Sequence, residues 1–268
     1  MTSSEGGSAR PPVRAILFDF GHTLVDFRRT EEALREAYEQ IRARIEAVAY
    51  MEVPELLDLI ERVAYGVDRM VAESYAEGRL QELNLPEVFR GTLAGIGFDL
   101  PPDVIDHVIA LDHSAYSKSL AVEPDVVETL RALDADGYAM GLVSNVSLLP
   151  HLMREDLERL GLTPYLRATV FSSETGVRKP DPQIFQEALR RLKASPAETA
   201  FVGDRLYDDV GGAMAVGMRT VLTHQFRQEE DGEAKPDAVI AHLSDLPVVL
   251  AGWGGPPRAH GKTTQART

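Results

Sequence analysis

Ala200-Phe-Val-Gly-Asp-Arg-Leu-Tyr-Asp-Asp-Val-Gly-Gly-Ala-Met-Ala-Val-Gly-Met-Arg-Thr-Val-Leu222 decides the fold class. Ala200–Val202 is an apolar run that ends at Gly203 and Asp204, the pattern of a buried strand entering a loop. Asp208–Val216 has helical character and stops at Gly217, after which Arg219–Leu222 predicts the next strand. A strand, a helix and a second strand, the strands nearly all apolar, imply a parallel sheet covered on both faces.

The same alternation extends toward the N-terminus. A helix bearing Val126, Val127, Leu130 and Leu133 stops at Gly137 before a strand, Tyr138–Val143. Another stops at Gly161 before the strand Ala168–Phe171, and a helix with Ile184, Phe185, Ala188, Leu189 and Leu192 follows. Ser195-Pro-Ala-Glu198 has the spacing of a capping box with proline at the first helical position. The first strand is Ala15–Phe18. Between it and this alternation, Thr30 to about Tyr116 is helical throughout. Leu34, Ala37, Tyr38, Ile41, Ile45 and Val48 form one amphipathic stripe. Pro54 opens a second helix, and Leu83–Leu93 and Val104–Leu111 predict two shorter ones. Such an insert is too long for a plain loop.

The expected architecture is an α/β, Rossmann-like parallel sheet core with helices on both faces, interrupted by an all-helical cap. The core comprises residues 13–26 and 118–253 and the cap residues 27–117. Residues 1–12 and 254–268 lack periodicity and are expected to be disordered ends.

Composition narrows the function. Of 268 residues, 28 are basic and 42 acidic, a formal net charge of −14. Such a field repels phosphate backbones and anionic lipid, which argues against nucleic-acid and membrane partners. The chain has no cysteine, so disulfides, thiolate metal sites and a cysteine nucleophile are excluded. No apolar run approaches the roughly 20 residues that span a bilayer, and Met1–Pro12, rich in Ser, Gly and Pro, does not read as a signal peptide. A cytoplasmic protein is the expectation.

Four polar positions fall where apolar strands give way to loops: Asp19, Ser144, Lys179 and Asp204. In open α/β sheets ligands bind beyond the carboxyl ends of the strands. Two carboxylates, a hydroxyl and an ammonium converging there suit Mg²⁺ and a phosphate. Each alone is equally at home as a turn residue; the ordered set of four is what points to a site.

That set resembles the motifs of the haloacid dehalogenase-like hydrolases. Phe18-Asp-Phe-Gly-His-Thr-Leu24, Val143-Ser-Asn145, Gly176-Val-Arg-Lys-Pro-Asp-Pro-Gln-Ile-Phe185 and Val202-Gly-Asp-Arg-Leu-Tyr-Asp-Asp209 match in order, and the resemblance covers about residues 13–250. It implies a Mg²⁺-dependent hydrolase of a small phosphorylated metabolite. By that resemblance Asp19 is the nucleophile and forms an aspartyl-phosphate. Asp19 and Asp204 hold the metal with the Gly21 carbonyl, and Asp209, or alternatively Asp208, holds a metal-bound water. Ser144, Asn145, Thr23 and backbone N–H groups grip the phosphoryl oxygens, and Lys179 neutralises its charge. Pro180 and Asp181 start the following helix.

One position departs from the pattern. Phosphatases of the family usually carry a second Asp two residues after the nucleophile, acting as general acid and base, where this chain has Gly21. Acid–base help of that kind contributes about 10²–10⁴-fold. Three readings follow: His22 substitutes, the substrate has a good leaving group such as an acyl phosphate, or the site is a catalytically silent phosphate- or partner-binding module. A 2-haloacid dehalogenase is a further alternative, since those relatives also lack the second Asp. They resemble a Lys followed six residues later by Tyr, where this chain has Phe185, and they lack the Gly203-Asp204 metal pair. A phosphonate-cleaving role is disfavoured because Phe27–Ser117 contains no lysine. His107 and His113 are spaced wrongly for a metal pair on one helix face. Tyr38, Tyr50, Tyr65 and Tyr75 are expected in packing, and the acidic run Glu229–Glu233 in a solvated loop.

Overall fold

The computed structural model describes residues 10–229 and 232–255. Its six strands are β1 (Ala15–Phe18), β2 (Ala139–Ser144), β3 (Ala168–Phe171), β4 (Thr199–Gly203), β5 (Arg219–Thr223) and β6 (Ala238–Ile240). They form one parallel sheet in the order β3-β2-β1-β4-β5-β6. β1 and β4 are buried at every position, which is why both read as unbroken apolar runs instead of alternating. The chain steps from β1 to β2 and β3 on one side, and β4 to β6 build the other. The strand order therefore reverses at β1 and β4, and the crevice beyond their carboxyl ends is where such folds place ligands.

The long connection from β1 to β2 holds α1 (Glu31–Glu46), α2 (Leu56–Leu59), α3 (Tyr65–Ala76), α4 (Leu85–Gly95) and α5 (Pro102–Ser117), then α6 (Pro124–Ala135) against the sheet. The predicted stripe on α1 is buried at Leu34, Ala37, Tyr38, Ile41 and Ile45, and Thr30 caps its first turn. Val48 falls past its end. Pro54 lies ahead of the second helix, whose N-cap is Glu55, and Ile60–Ala64 joins α2 to α3 as a π-helical turn. The two crossings between the insert and the core are zipped together by Asp26 and Ala121, whose amides each donate to the other's carbonyl at 3.0 and 2.9 Å.

The rest of the core helices are α7 (Pro150–Arg159), α8 (Ser172–Thr175), α9 (Pro182–Leu192), α10 (Gly212–Ala215) and α11 (Leu246–Gly252). Asp181 caps α9 through the Gln183 amide at 2.8 Å, as expected. Three expectations need correcting. Ser195 makes no side-chain cap; Pro196–Glu198 is a single 3₁₀ turn, and the Thr199 hydroxyl bonds the Ser195 carbonyl. Tyr50 is fully exposed, because it falls in the turn after α1 and not on a packed face. Of the expected disordered start, Arg10–Pro12 is tied down, since Arg219 Nη2 donates to the carbonyls of Arg10 and Pro11 at 3.2 and 3.1 Å. Residues 1–9 and 256–268 lie outside the described residues, while Gly255 bonds back to Leu250. No helix among the described residues is long and apolar enough to cross a membrane.

Candidate active site

Asp19 follows β1 directly, and its amide bonds the carbonyl of Val202 on β4 at 2.9 Å. That bond sets the end of β1 beside the end of β4, where Asp204 begins the next loop. Asp209 comes back toward the same point on the π-helical turn Leu206–Gly211, its Oδ2 accepting from the Arg205 amide at 3.0 Å. One carboxylate oxygen each from Asp19, Asp204 and Asp209 lies within 4.8 Å of the others, and all three residues are buried. Gly203 is needed at that packing: a Cβ there would meet the Asp209 carboxylate at 2.4 Å.

Lys179 does not follow a strand end. β3 stops at Phe171, α8 intervenes, and Lys179 arrives on the loop after it. Its Nζ donates to Asp19 Oδ1 and to Asp209 Oδ1, both at 2.6 Å. Burial alone would pull its pKa down, but the two carboxylates outweigh it and hold the ammonium protonated. Asn145 clamps the same residue by its backbone. The Lys179 amide donates to Asn145 Oδ1 at 2.7 Å and the Asn145 amide donates to the Lys179 carbonyl at 3.0 Å.

Charge in the cluster is unbalanced. Burial, then the charges of Asp19 and Asp209, push Asp204 up to about 7, and burial raises Asp209 as well. Arg227 Nη1 stands 3.1 Å from Asp204 Oδ2, yet that buried oxygen has no hydrogen-bond partner. Three buried carboxylates, one oxygen orphaned, form a hard-oxygen donor set of the kind that Mg²⁺ takes. The residues present therefore fit a divalent cation.

A cavity of about 520 Å³ opens above Asp19 between the core and the helical insert. Ser144, Asn145, Lys179, Asp204, Asp208 and Asp209 line it, as do Gly21 and His22. Thr23 does not: it is fully buried, outside the cavity wall, with its hydroxyl unpartnered. Asn145 is at the wall, but both ends of its amide already serve Lys179. His22 sits in the left-handed region at φ 58°, stacked on Phe27 with ring centroids 4.8 Å apart. Its Nδ1 is 3.4 Å from Asp26, and burial with the Arg227 charge lowers its pKa. A Cβ on Gly21 would meet Phe27 Cε1 at 3.0 Å, so the ring edge occupies the space where a longer side chain would begin.

Sequence reasoning missed Arg205 and Arg227 at this wall. Arg227 follows β5 and could have been found by the strand-end rule that picked out Asp204. It also missed the insert's contribution, including Tyr116, Asp68, Asp112 and His113, whose helices carry the general amphipathic pattern and no motif. His113 is neither solvated nor a metal ligand: its Nε2 pairs with Asp156 Oδ2 at 2.6 Å.

Comparison with known proteins agrees with this geometry. The family model described as hydrolase, haloacid dehalogenase-like hydrolase, matches residues 13–217. A glyceraldehyde 3-phosphate phosphatase of Methanopyrus kandleri is 38% identical over 236 residues, 88% of this chain and 94% of that protein. Among solved structures, a 2-haloacid dehalogenase from Pseudomonas syringae pv. Tomato is similar at TM-score 0.63 and 28% identity, covering 90% of this chain and 99% of that one. A HAD phosphatase from Thermococcus onnurineus is similar at 0.59 and 25% identity, covering 90% and 99%.

Proposed function

The chain belongs to the haloacid dehalogenase-like hydrolases, and from that premise we propose that it is a Mg²⁺-dependent phosphatase of small phosphorylated metabolites that works through an aspartyl-phosphate on Asp19. The observation that carries the reading is the buried cluster of Asp19, Asp204 and Asp209 around the Lys179 ammonium. The long relative named as a phosphatase supports the same reaction class.

Asp19, Asp204 and Asp209 would hold the cation, with the Gly21 carbonyl as a further oxygen. When bound, the cation supplies Lewis-acid charge stabilisation at the phosphoryl oxygens. The remaining work belongs to the chain. A carboxylate oxygen of Asp19 attacks phosphorus and the bond from phosphorus to the leaving oxygen breaks. Lys179 fixes Asp19 in place and neutralises charge on the transferred group. Asn145 holds Lys179 by its backbone, and Ser144 offers a hydroxyl at the wall. Water then attacks phosphorus, releasing phosphate and restoring the Asp19 carboxylate. The leaving oxygen gets no proton from position 21, where glycine has none to give, so the reading includes a preference for aryl or acyl phosphates that leave as weakly basic groups.

A 2-haloacid dehalogenase is supported less well. That chemistry needs no metal, whereas Asp204 and Asp209 crowd a carboxylate cluster whose charge a cation would balance. Phosphate release from aryl and acyl phosphates, with Mg²⁺ and with EDTA, tests the proposal. Turnover with Mg²⁺ that EDTA abolishes and Asp19→Asn eliminates is expected. Undiminished turnover by Asp19→Asn, or halide release insensitive to EDTA, would overturn it.

A further inference from the structure

Glu82 belongs to the insert, but every group that its carboxylate binds belongs to the core. It stands in the loop between α3 and α4 and is almost fully buried. Oε1 accepts from Nε and Nη2 of Arg178 and, at 2.7 Å, from the Ser147 hydroxyl. Oε2 accepts from the Ser172 hydroxyl at 2.5 Å. The Ser172 oxygen in turn accepts from the Val146 amide at 2.7 Å. One carboxylate therefore gathers the loop after β2 and the loop after α8.

Those two loops carry the chemistry. The first holds Asn145, whose side chain clamps the Lys179 backbone. The second runs Val177-Arg178-Lys179. Val177 pairs with Gln81 of the insert as an isolated antiparallel bridge. The next two side chains then part company: Arg178 reaches Glu82 and Ser74 in the insert, and Lys179 reaches Asp19 and Asp209. A lysine stem has four flexible carbons, so its ammonium stays between two carboxylates only if its backbone is fixed. Arg178 and Asn145 fix that backbone from either side. Hydrocarbon of equal volume would hold insert to core at least as well as a buried ion pair. What the guanidinium fork adds is direction, because its donors are set in a rigid plane.

We infer that Glu82 is a positioning residue for phosphoryl transfer: from the insert, through Arg178 and Ser147, it fixes the loops that place Lys179 and Asn145 beside Asp19. The assignment rests on the phosphatase reading above and extends it. The insert is then part of the catalytic machinery as well as an enclosure for the substrate. Glu82 itself does not line the cavity, so its effect on the reaction passes through the residues that do.

The test is a cycle of variants assayed on acetyl phosphate with Mg²⁺, a substrate small enough to depend little on contacts with the insert. Glu82→Leu combined with Arg178→Met removes both buried charges. Denaturant unfolding should therefore return most of the stability that either change alone removes. The kcat of this pair is nevertheless expected to stay about 10- to 100-fold below wild type, the loss that a small misplacement of a catalytic group brings, with KM within about threefold. In a Lys179→Met background the same pair is expected to lower kcat by less than about threefold, because the group it places is already gone. Recovery of kcat together with stability would reduce the ion pair to packing between insert and core. An equal loss in both backgrounds would show that Glu82 does not act through Lys179. Either result overturns the assignment.

A second readout does not depend on turnover. In protein carrying isotope-labelled lysine, the Nζ resonance that disappears in Lys179→Met is that of Lys179. Held between Asp19 and Asp209, its ammonium exchanges slowly with water. In the Glu82→Leu, Arg178→Met pair the resonance is expected to shift and its exchange to quicken. An unchanged resonance would end the positioning role whatever the activity. If the wild type hydrolyses no phosphate ester and no acetyl phosphate, the phosphatase reading fails, and this resonance alone decides whether Glu82 places Lys179.

Discussion

Arg178 donates from Nε and Nη2 to one oxygen of Glu82, at 2.9 and 2.6 Å, and both side chains are about 1% exposed although 96 residues separate them. Glu82 comes from the loop between α3 and α4, so this pair joins the helical insert to the residue before Lys179. The backbone follows the same seam: the Arg178 amide donates to the Leu80 carbonyl at 2.7 Å and the Glu82 amide to the Gly176 carbonyl at 2.9 Å. Arg178 also reaches Ser74 at 3.1 Å and lies 3.9 Å over the Tyr75 ring. Breaking such a pair from one side leaves a buried charge unpaired, which costs about 3–5 kcal/mol. Glu82→Ala and Arg178→Ala should each lower stability by about that much in denaturant unfolding, and the double variant should lose clearly less than the sum.

Acid should open the same seam. Burial raises the Glu82 pKa, but the hydrogen bonds from Arg178, Ser172 and Ser147 outweigh it and leave the net value lowered. A carboxyl lowered in the folded state contributes stability that is present above its unfolded value, about 4.3. That stability is lost as pH falls through the lower folded value. Exchange of the Glu82 and Arg178 amides, the two donors of that seam, is therefore expected to rise steeply below about pH 4, earlier than exchange in β1 and β4. Parallel loss of protection in seam and sheet would show that Glu82 does not control the docking.

Asp204 shifts the other way. Its carboxyl is pushed up to about 7, first by burial and then by Asp19 and Asp209, so the fold penalises its charged form. That penalty is absent below the ordinary carboxylate range, about 4, and complete once pH rises past the folded value. Asp204→Asn should raise the melting temperature of the metal-free protein at pH 8, equivalent to about 1–2 kcal/mol. It should also remove the rise that Mg²⁺ produces in the wild type, since a ligand of the folded state alone stabilises it. Melting curves in EDTA and in Mg²⁺ give both numbers. A lower melting temperature for Asp204→Asn in EDTA would mean that the Arg227 contact outweighs the crowding.

The fold was legible because β1 to β5 are short apolar runs punctuated by glycine or a polar strand end. β6 was not: Ala238-Val-Ile240 is three residues on the sheet edge, with Val239 exposed, and so short a run has no period to detect. Asp19, Asp204, Asp209 and Lys179 stand together because their motifs lie at loops that the topology gathers at one crevice. The opposite wall was invisible for a physical reason. Asp112 and Asp68 are single polar residues on amphipathic helices, and helical spacing separates a buried face from an exposed one without telling core from cavity. Arg178 was read only as part of a motif, because its partner Glu82 lies in a loop with no pattern of its own.

Lys179 should matter twice. Replacing it with Met keeps most of the stem and removes the ammonium between Asp19 and Asp209. Three buried carboxylates then lack their closest cation, so stability in EDTA should fall by about 3 kcal/mol, with Mg²⁺ restoring part of it. Turnover of an aryl phosphate should fall by about 10²–10³-fold, the usual loss for one electrostatic contact to a transition state. A rate within threefold of wild type would remove Lys179 from the chemistry and leave it a structural role only.

Position 21 offers the sharpest separation between a specialised enzyme and a silent binding site. Nothing in the backbone forbids a side chain there, since Gly21 does not need positive φ, but the Phe27 ring edge lies 3.0 Å from where Cβ would stand. That ring also carries the His22 stack, so it can yield only if His22 moves with it. Gly21→Asp alone should gain little, whereas Gly21→Asp combined with Phe27→Ala has room for the carboxyl beside Asp19. If the chemistry is intact and lacks only a proton donor, the double variant should speed alkyl phosphate hydrolysis by about 10- to 100-fold. Aryl phosphate rates should change little, because a weakly basic leaving group needs little protonation. If the double variant folds, binds Mg²⁺ by thermal shift and still releases no phosphate from either class, position 21 is not what limits this site, and the silent-binding reading replaces the enzymatic one.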